Sequence, residues 1–234
     1  MNKYDIKDSV SYSLGMSLTI EALLHKSEYI DKIVLSSRAN RNEQLSYLLK
    51  LCEENNIEPI YDDRVIEKLS LKENCYCIGF FKKFYSDLMT NKHIVLYGFN
   101  DFGELGTILR SCVSFDFKDI VLINSNIDYF DPRCIRASMG SIFHCNIVRY
   151  DSLDDYVKKY SSQTIIPFVS KSNNELKQLD IKDNYSLIIS QDYYDLDSKY
   201  SEGYYIKHSN LDDISLSVRA SVILNYVYSL NLKR

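Results

Sequence analysis

Hydrophobic positions in the first third of the chain follow helical and strand-like spacing in turn. The stretch Val10–His25 carries apolar residues at helical spacing, and so does Asn42–Glu54, so both are predicted to be helices. The shorter elements predicted here are strands at Lys32–Ser36, Ile57–Tyr61 and Tyr76–Phe81, and a helix at Asp63–Leu69. This alternation predicts a compact α/β unit of roughly 80 residues.

A polar stretch, Lys82–Lys92, separates this unit from a second α/β series. The predicted strands of that series are Ile94–Gly98, Asp119–Ile123, Asn146–Arg149, Thr164–Val169, Ser186–Ser190 and Gly203–Lys207. The predicted helices are Phe102–Phe115, Asp131–Gly140, Ser152–Tyr160 and Ile214–Leu230. Such alternation is typical of a mostly parallel sheet covered on both faces. We therefore expect two α/β domains, residues 1–82 and 93–234, joined by a linker at 83–92.

The composition is that of an ordinary globular protein, and the net charge restricts how the protein could bind a nucleic acid. Of the 234 residues, 45% are hydrophobic and 26% are charged, and the formal net charge is −4. Binding to a nucleic acid would therefore depend on a local basic patch. The N-terminal sequence is charged and no apolar run approaches the ~18 residues of a membrane span, so we expect a cytoplasmic protein without a signal peptide or membrane contact.

The cysteines and histidines give no sign of a metal site in the sequence. Six cysteines lie in apolar or strand-like stretches without a C-x-x-C pair, and the histidines show no ligand spacing. Buried, reduced thiols and no bound metal are the expectation. His144 is expected to be packed or to cap a helix.

Three segments of the second series, in order, resemble motifs of one enzyme family. They are Asn100–Arg110 (NDFGELGTILR), Ile135–His144 (IRASMGSIFH) and Ser215–Leu224 (SLSVRASVIL). The sequence is similar to the SpoU (TrmH-like) RNA 2′-O-ribose methyltransferases of the SPOUT superfamily, and the middle segment matches that family's pattern most closely. The N-terminal unit resembles the family's small L30e-like domain, which binds the RNA substrate.

The resemblance implies a fold, a cofactor and partners. It implies a trefoil-knotted C-terminal domain that binds S-adenosylmethionine and methylates tRNA or rRNA, and a homodimer formed through that domain. The apolar residues of the last helix suit either this interface or the core of the chain itself. They are Val222, Ile223, Tyr226, Val227 and Leu230.

The resemblance also assigns roles to single residues. Arg110 stands at the position of the arginine that orients the ribose hydroxyl and grips the adjacent phosphate. Glu104 and Ser217 stand at the positions of two asparagines in the family's motifs and complete the candidate catalytic set. The candidate cofactor-binding residues are Ser190, Gln191, Asp192, Ile206 and Leu216. Arg133 and Arg136 flank a helix start that could receive an RNA phosphate.

Several ligand-facing positions depart from the family's pattern. The glycines of its cofactor loop are replaced in the stretch 190–195, so that Tyr193 and Tyr194 could crowd the pocket. Glu104 could also pair with Arg110 or Arg219 and so occupy the candidate catalytic arginine. Two alternatives to RNA methylation therefore remain open: an RNA-binding module without catalytic activity, and a methyltransferase with a changed substrate.

Overall fold

The computed structural model describes residues 3–70, 74–181, 183–209 and 214–232. They form two compact units. Unit 1 contains the chain up to Phe84 together with Asp128–His144, and unit 2 contains Tyr85–Ile127 and the chain from Cys145 onward. Unit 1 is therefore assembled from two separate stretches of sequence.

The strands are β1 (Val10–Leu14), β2 (Ile30–Leu35), β3 (Ile60–Tyr61), β4 (Cys77–Lys82), β5 (Lys92–Tyr97), β6 (Asp119–Ile123), β7 (Asn146–Tyr150), β8 (Thr164–Phe168), β9 (Asn174–Glu175), β10 (Tyr185–Ser190) and β11 (Tyr204–Tyr205). The helices are α1 (Met16–Lys26), α2 (Glu43–Glu54), α3 (Asp63–Leu69), α4 (Phe102–Ser114), α5 (Pro132–Ala137), α6 (Leu153–Lys159), α7 (Tyr193–Asp197) and α8 (Leu216–Asn231). Short 3₁₀ helices include Ser141–His144.

Unit 1 is built on a four-stranded mixed sheet with the order β1-β4-β2-β3. Strand β4 is antiparallel to both β1 and β2, whereas β2 and β3 are parallel. Helices α1 and α2 pack on each other and bury leucine and isoleucine side chains of both helices with those of β2. The predicted helix Asn42–Glu54 is confirmed as α2, and the Asn42 side chain caps it by accepting a hydrogen bond from the Leu45 N–H at 2.9 Å.

The prediction of a helix over Val10–His25 is wrong in its first third. Val10–Leu14 is the strand β1, and the helix begins only after Gly15, whose φ of 113° ends the strand. The two serines of the strand are buried and hydrogen-bonded: Ser11 Oγ donates to the Phe130 carbonyl, and Ser13 Oγ lies 2.9 Å from Thr19 Oγ1. Their hydrogen bonds allow these polar residues to be buried. The pattern of hydrophobic residues alone therefore does not distinguish this strand from a helix.

The stretch Asp128–His144 completes the core of unit 1. The Phe130 ring centroid lies 5.0 Å from that of Phe84, and the Phe143 centroid lies 5.3 Å from that of Phe81. Edge-on ring contacts at this range stabilise a core beyond the burial of area alone. The predicted helix Asp131–Gly140 is shorter than expected, since α5 ends at Ala137 and Gly140 takes a φ of 86°.

Unit 2 contains a seven-stranded sheet with the order β7-β6-β5-β10-β8-β11-β9. Each of its recorded strand pairs is parallel. The expected α/β architecture with a mostly parallel sheet is therefore confirmed. The six strands predicted for this half are all present, although β11 has two residues instead of five, and β9 and α7 were not predicted.

Polar contacts fix the starts of the two central strands of unit 2 to helix α6. His93 Nδ1 lies 2.8 Å from the Tyr156 hydroxyl, which lies 2.6 Å from Ser186 Oγ. His93 Nε2 lies 2.9 Å from the carbonyl of Thr90. Burial lowers the pKa of His93 because desolvation disfavours the imidazolium form.

Helix α4 packs against helix α8. The contact includes hydroxyls of Ser111 and Ser221 that lie 2.8 Å apart, and the rings of Phe115 and Tyr228, with centroids 5.9 Å apart. Among the described helices, none combines the length and the apolar character needed to cross a bilayer.

Candidate functional site

The candidate site lies where the parallel strands of unit 2 end. Strand β10 ends at Ser190, and the N–H of the next residue, Gln191, donates to the carbonyl of Tyr97 at the end of β5, at 3.0 Å. The Gly98 N–H donates in turn to the carbonyl of Ile123, at the end of β6. The loops that follow three neighbouring strands therefore meet at one edge, which is where open parallel sheets bind their ligands.

The predicted cofactor loop begins at this edge. Ser190 is buried and its hydroxyl donates to the carbonyl of Asp192, so it shapes the turn. Gln191 and Asp192 are exposed. Tyr193 then starts helix α7, and the side chains of Tyr194 and Asp195 lie outside the described part of the structure. This short helix occupies the place of the glycine-rich loop that the resemblance implied.

Arg219 of helix α8 holds the loop in place. Its Nη2 donates to the Gln191 carbonyl at 3.0 Å, and its guanidinium carbon lies 4.1 Å from the centroid of the Tyr193 ring. The side chain is only 2% exposed, and within the described residues Nε and Nη1 have no hydrogen-bond partner. A buried cation with two unsatisfied donors is costly, and it is suited to receive an anion. The sequence indicates Arg219 only as a possible ion-pair partner of Glu104.

The first turn of α8 carries two further candidate residues. Ser215 caps the helix by accepting from the Val218 N–H at 3.5 Å, and the Ser217 hydroxyl lies 3.1 Å from that of Ser215. Leu216 is fully buried, so only its backbone could contact a ligand. Ile206 is half-buried just after β11. Because β8 lies between β10 and β11, Ile206 is about two strand spacings, ~10 Å, from the Ser190 loop.

Arg110 and Glu104 belong to helix α4 of the same unit. Asp101 caps this helix by accepting from the Glu104 N–H at 2.7 Å. Leu105, Ile108, Leu109 and Cys112 are buried, and Arg110 is exposed. In the described part of the chain the Arg110 guanidinium has no ion-pair partner, and Glu104 pairs with neither Arg110 nor Arg219. The expected pairing that would have occupied Arg110 is therefore not formed there.

The two candidate RNA-binding arginines lie in unit 1. Arg133 is bound by Asp131 through two hydrogen bonds, from Nε at 3.0 Å and from Nη2 at 2.8 Å. The hydrogen bonds to Asp131 raise the pKa of Arg133, and its charge is largely neutralised by that carboxylate. Arg136 is half-buried and takes part in no ion pair with the described residues. Of the two, Arg136 is the one available to an anion.

Arg136 lines a cavity of about 380 Å³ within unit 1. Its lining is rich in amides and also includes Tyr76 and Met139; the amide side chains are Asn40, Asn42, Gln44 and Asn74. Amides, a phenol and a guanidinium can together read the edge of a base and bind a phosphate. Apart from Arg136 and the motif around it, no signal in the sequence indicated this cavity.

Comparison with known proteins relates the chain to one family and to several solved structures. Residues 91–191 match the model of the SpoU rRNA Methylase family. No significant match is found among curated protein sequences. Among solved structures, the chain is similar to an AdoMet-bound rRNA methyltransferase from Sinorhizobium meliloti, with a TM-score of 0.79 and 18% identity over 95% of this chain and 88% of that one.

Two further solved structures have the same fold. The SpoU methyltransferase AviRb from Streptomyces viridochromogenes, in complex with AdoMet, has a TM-score of 0.77 and 13% identity over 96% of this chain and 91% of that one. A structure described as an RNA 2′-O ribose methyltransferase has a TM-score of 0.76 and 14% identity over 96% of this chain and 90% of that one. At such identities the likeness establishes the fold. Residues 91–191 match the SpoU rRNA Methylase family, and the chain shares the fold of these solved structures.

Proposed function

We propose that the protein transfers a methyl group from S-adenosylmethionine to a ribose 2′-hydroxyl of tRNA or rRNA. The family match over residues 91–191 supports this reaction, and so does the likeness to an AdoMet-bound rRNA methyltransferase and to a SpoU methyltransferase in complex with AdoMet. The observation that carries the proposal is Arg110, an exposed guanidinium at the family's catalytic position with no ion-pair partner among the described side chains.

The residues at the edge of the unit 2 sheet fit the cofactor. S-adenosylmethionine carries a carboxylate, and the buried Arg219 has two unsatisfied donors beside the Gln191 loop. We assign the carboxylate to Arg219, and contacts through exposed loop and backbone groups to Ser190, Gln191, Asp192, Ile206 and Leu216. When bound, the cofactor supplies an electrophilic methyl group. The tyrosine ring stacked on Arg219 occupies space that a glycine loop would leave open, so the pocket is narrower on that side.

Arg110 would act on the RNA. A ribose hydroxyl is a weak acid, so it must be aligned and partly deprotonated before it can accept a methyl group. A fork of guanidinium donors can bind the adjacent phosphate and orient the hydroxyl at once. Ser217 would form a hydrogen bond with the sugar, and Glu104 would be the carboxylate that accepts the proton of the hydroxyl. Both are assigned by position in the family's motifs.

Recognition of the RNA would involve unit 1. The protein has a net charge of −4, so binding must come from local groups. Arg136 and the amides of its cavity provide such groups for an unpaired nucleotide. Arg133 would contribute only if its hydrogen bonds to Asp131 were broken.

The finer architecture is also proposed from the family. We assign residues 1–82 to an L30e-like RNA-binding domain, 83–92 to a linker and 93–234 to a trefoil-knotted domain that forms a homodimer. Because the cysteines among the described residues are free thiols, we place the protein in the reducing cytoplasm.

Titration of the protein with S-adenosylhomocysteine, followed by methyl transfer from labelled S-adenosylmethionine to total tRNA and rRNA, tests the proposal. We expect saturable binding and labelled RNA. Arg110→Lys should keep the binding of S-adenosylhomocysteine and lower the methylation rate by about a hundredfold or more, because an ammonium lacks the planar fork. The matched control is Arg64→Lys, an exposed arginine on α3 of unit 1, which should leave the rate unchanged.

An RNA-binding module without catalysis is the second candidate. The Arg219 bond to the Gln191 carbonyl and its stacking on Tyr193 favour it, because side chains of the protein itself hold the loop. No heat with S-adenosylhomocysteine, together with a salt-sensitive shift of RNA in a gel, would select this candidate. A transferase with a changed substrate would instead bind the cofactor and label a molecule other than RNA.

A further inference from the structure

Two histidines and a glutamate meet on the surface of unit 1, whereas the groups assigned to methyl transfer belong to unit 2. Glu21 and His25 lie one turn apart on helix α1, and His144 ends the 3₁₀ helix Ser141–His144. Glu21 Oε2 lies 2.7 Å from His144 Nε2 and 3.7 Å from His25 Nε2. The two imidazole ring centroids are 3.7 Å apart. All three ligand-type atoms lie within 4.8 Å of one another.

We propose that Glu21, His25 and His144 bind a divalent transition metal, with Zn²⁺ as the best match. Bonds of about 2.0–2.1 Å in a tetrahedral site place ligand atoms about 3.3 Å apart, and the distances of 2.7 and 3.7 Å lie on either side of that value. Two imidazoles and one carboxylate are borderline ligands that favour Zn²⁺, Ni²⁺ or Cu²⁺ over Mg²⁺ and Ca²⁺. Small shifts of three side chains would form the site.

Contacts within unit 1 position these side chains in the metal-free protein. A Cβ at Gly140 would lie 2.8 Å from both Cβ and Cγ of Glu21, so the glutamate stem rests directly on the backbone of Gly140. The spacing of Glu21 and His25, at i and i+4, places both on one face of α1. The side chains are partly exposed, at 34% for Glu21, 39% for His25 and 26% for His144. An ion can therefore enter, and solvent can complete its coordination.

The metal would connect two stretches of unit 1 that are distant in sequence. Helix α1 belongs to the N-terminal stretch, and His144 ends the stretch Asp128–His144, which carries Arg136. A ligand that binds only the folded arrangement stabilises it by an amount that grows with the logarithm of the ratio of ligand concentration to Kd. Zn²⁺ would therefore hold the segment around Arg136 against α1 without taking part in methyl transfer.

Calorimetric titration of the metal-stripped full-length protein with Zn²⁺, in a buffer that does not bind metals, tests this inference. We expect one Zn²⁺ per chain, an affinity at least about tenfold lower in His144→Gln and in Glu21→Gln, and no comparable binding of Mg²⁺. His25→Gln provides a second test at a more exposed ligand, whose loss should leave the fold intact. The control is His208→Gln, an exposed histidine of unit 2, which should bind Zn²⁺ like the parent protein.

Thermal unfolding provides an independent measurement. At the same Zn²⁺ concentration, the midpoints of the parent protein and of His208→Gln should rise more than those of His25→Gln and His144→Gln. Equal Zn²⁺ binding by the parent and by His25→Gln would overturn the inference, and so would the absence of saturable binding. In the latter case the three side chains form only a hydrogen-bonded cluster.

Discussion

Arg219 shows how one residue can lower stability and serve a function. Its guanidinium loses its hydration on burial and forms one hydrogen bond and one ring contact in exchange. Nε and Nη1 have no hydrogen-bond partner among the described residues. Buried unsatisfied donors usually cost about 1–3 kcal/mol each. A residue of this kind is retained when a ligand supplies the missing partner, which is the role proposed here for the cofactor carboxylate.

Arg219→Met should therefore act in opposite directions on stability and on cofactor binding. Without ligand, we expect the free energy of unfolding to rise by about 1 kcal/mol, because an apolar chain of similar length replaces a poorly paired cation. The affinity for S-adenosylhomocysteine should fall by about tenfold or more. Urea denaturation and calorimetry measure the two quantities.

The control for this variant is Arg110→Met, which changes an exposed arginine of the same unit. Its free energy of unfolding should stay within about 0.5 kcal/mol of the parent value. If Arg219→Met were less stable than the parent by more than about 1 kcal/mol, the contacts with Gln191 and Tyr193 would outweigh the cost of burial.

At the scale of elements, sequence patterns located most of the helices and strands of unit 2 but missed the features that depend on distant residues. Helix α4, with its buried stripe and exposed Arg110, follows from local spacing alone. By contrast, local spacing predicts a helix where the structure has β1. The buried serines of this strand are hydrogen-bonded to Thr19 and Phe130, and spacing cannot reveal such partners. The Arg219 contact with the loop after β10, and the approach of His144 to α1, depend on the tertiary fold in the same way.

The network that joins β5, β10 and α6 should make stability depend on pH. Burial lowers the pKa of His93 below its ordinary value, so the unfolded chain binds a proton at this site more readily than the folded one. The contribution of neutral His93 is then fully present above the unfolded pKa, about 6.5, and declines as the pH falls toward the folded pKa. Urea midpoints should therefore drop between roughly pH 7 and pH 5.

In His93→Gln this part of the pH dependence should disappear, even if the variant is less stable at every pH. The readout is the slope of unfolding free energy against pH, with His208→Gln, at an exposed site, as the control. An unchanged slope in His93→Gln would mean that the imidazole near Tyr156 and Thr90 is not the group that titrates.

At the scale of the whole molecule, helix α8 presents apolar groups on two sides. From the sequence alone, its apolar residues suit either a dimer interface or the core of the chain. Ile223 and Val227 are fully buried within the chain, whereas Val218 is 49% exposed and Val222 is 41% exposed. The exposed pair, one turn apart, is available to a second copy, and the buried pair is not.

The double variant Val218→Glu/Val222→Glu should be monomeric if α8 forms the proposed homodimer interface, because two carboxylates cannot be buried there without partners. Light scattering coupled to size-exclusion chromatography gives the mass of each species. The control, Leu49→Glu, makes the same kind of change at a partly exposed site on α2 and should stay dimeric. A monomeric parent protein, or a double variant that remains dimeric, would exclude this interface.

The core of unit 1 cannot be completed until its second stretch of sequence, Asp128–His144, has been synthesised. Phe81 and Phe84 find their ring partners in Phe143 and Phe130, which the ribosome delivers only after β5 and β6 of the seven-stranded sheet. During synthesis, these rings therefore lack their partners from the second stretch until that stretch has been translated. An expression fragment that ends at Phe84 would keep the contact of Phe84 with Tyr29 but lack Phe130 and Phe143, so it is a poor choice for isolating the N-terminal half.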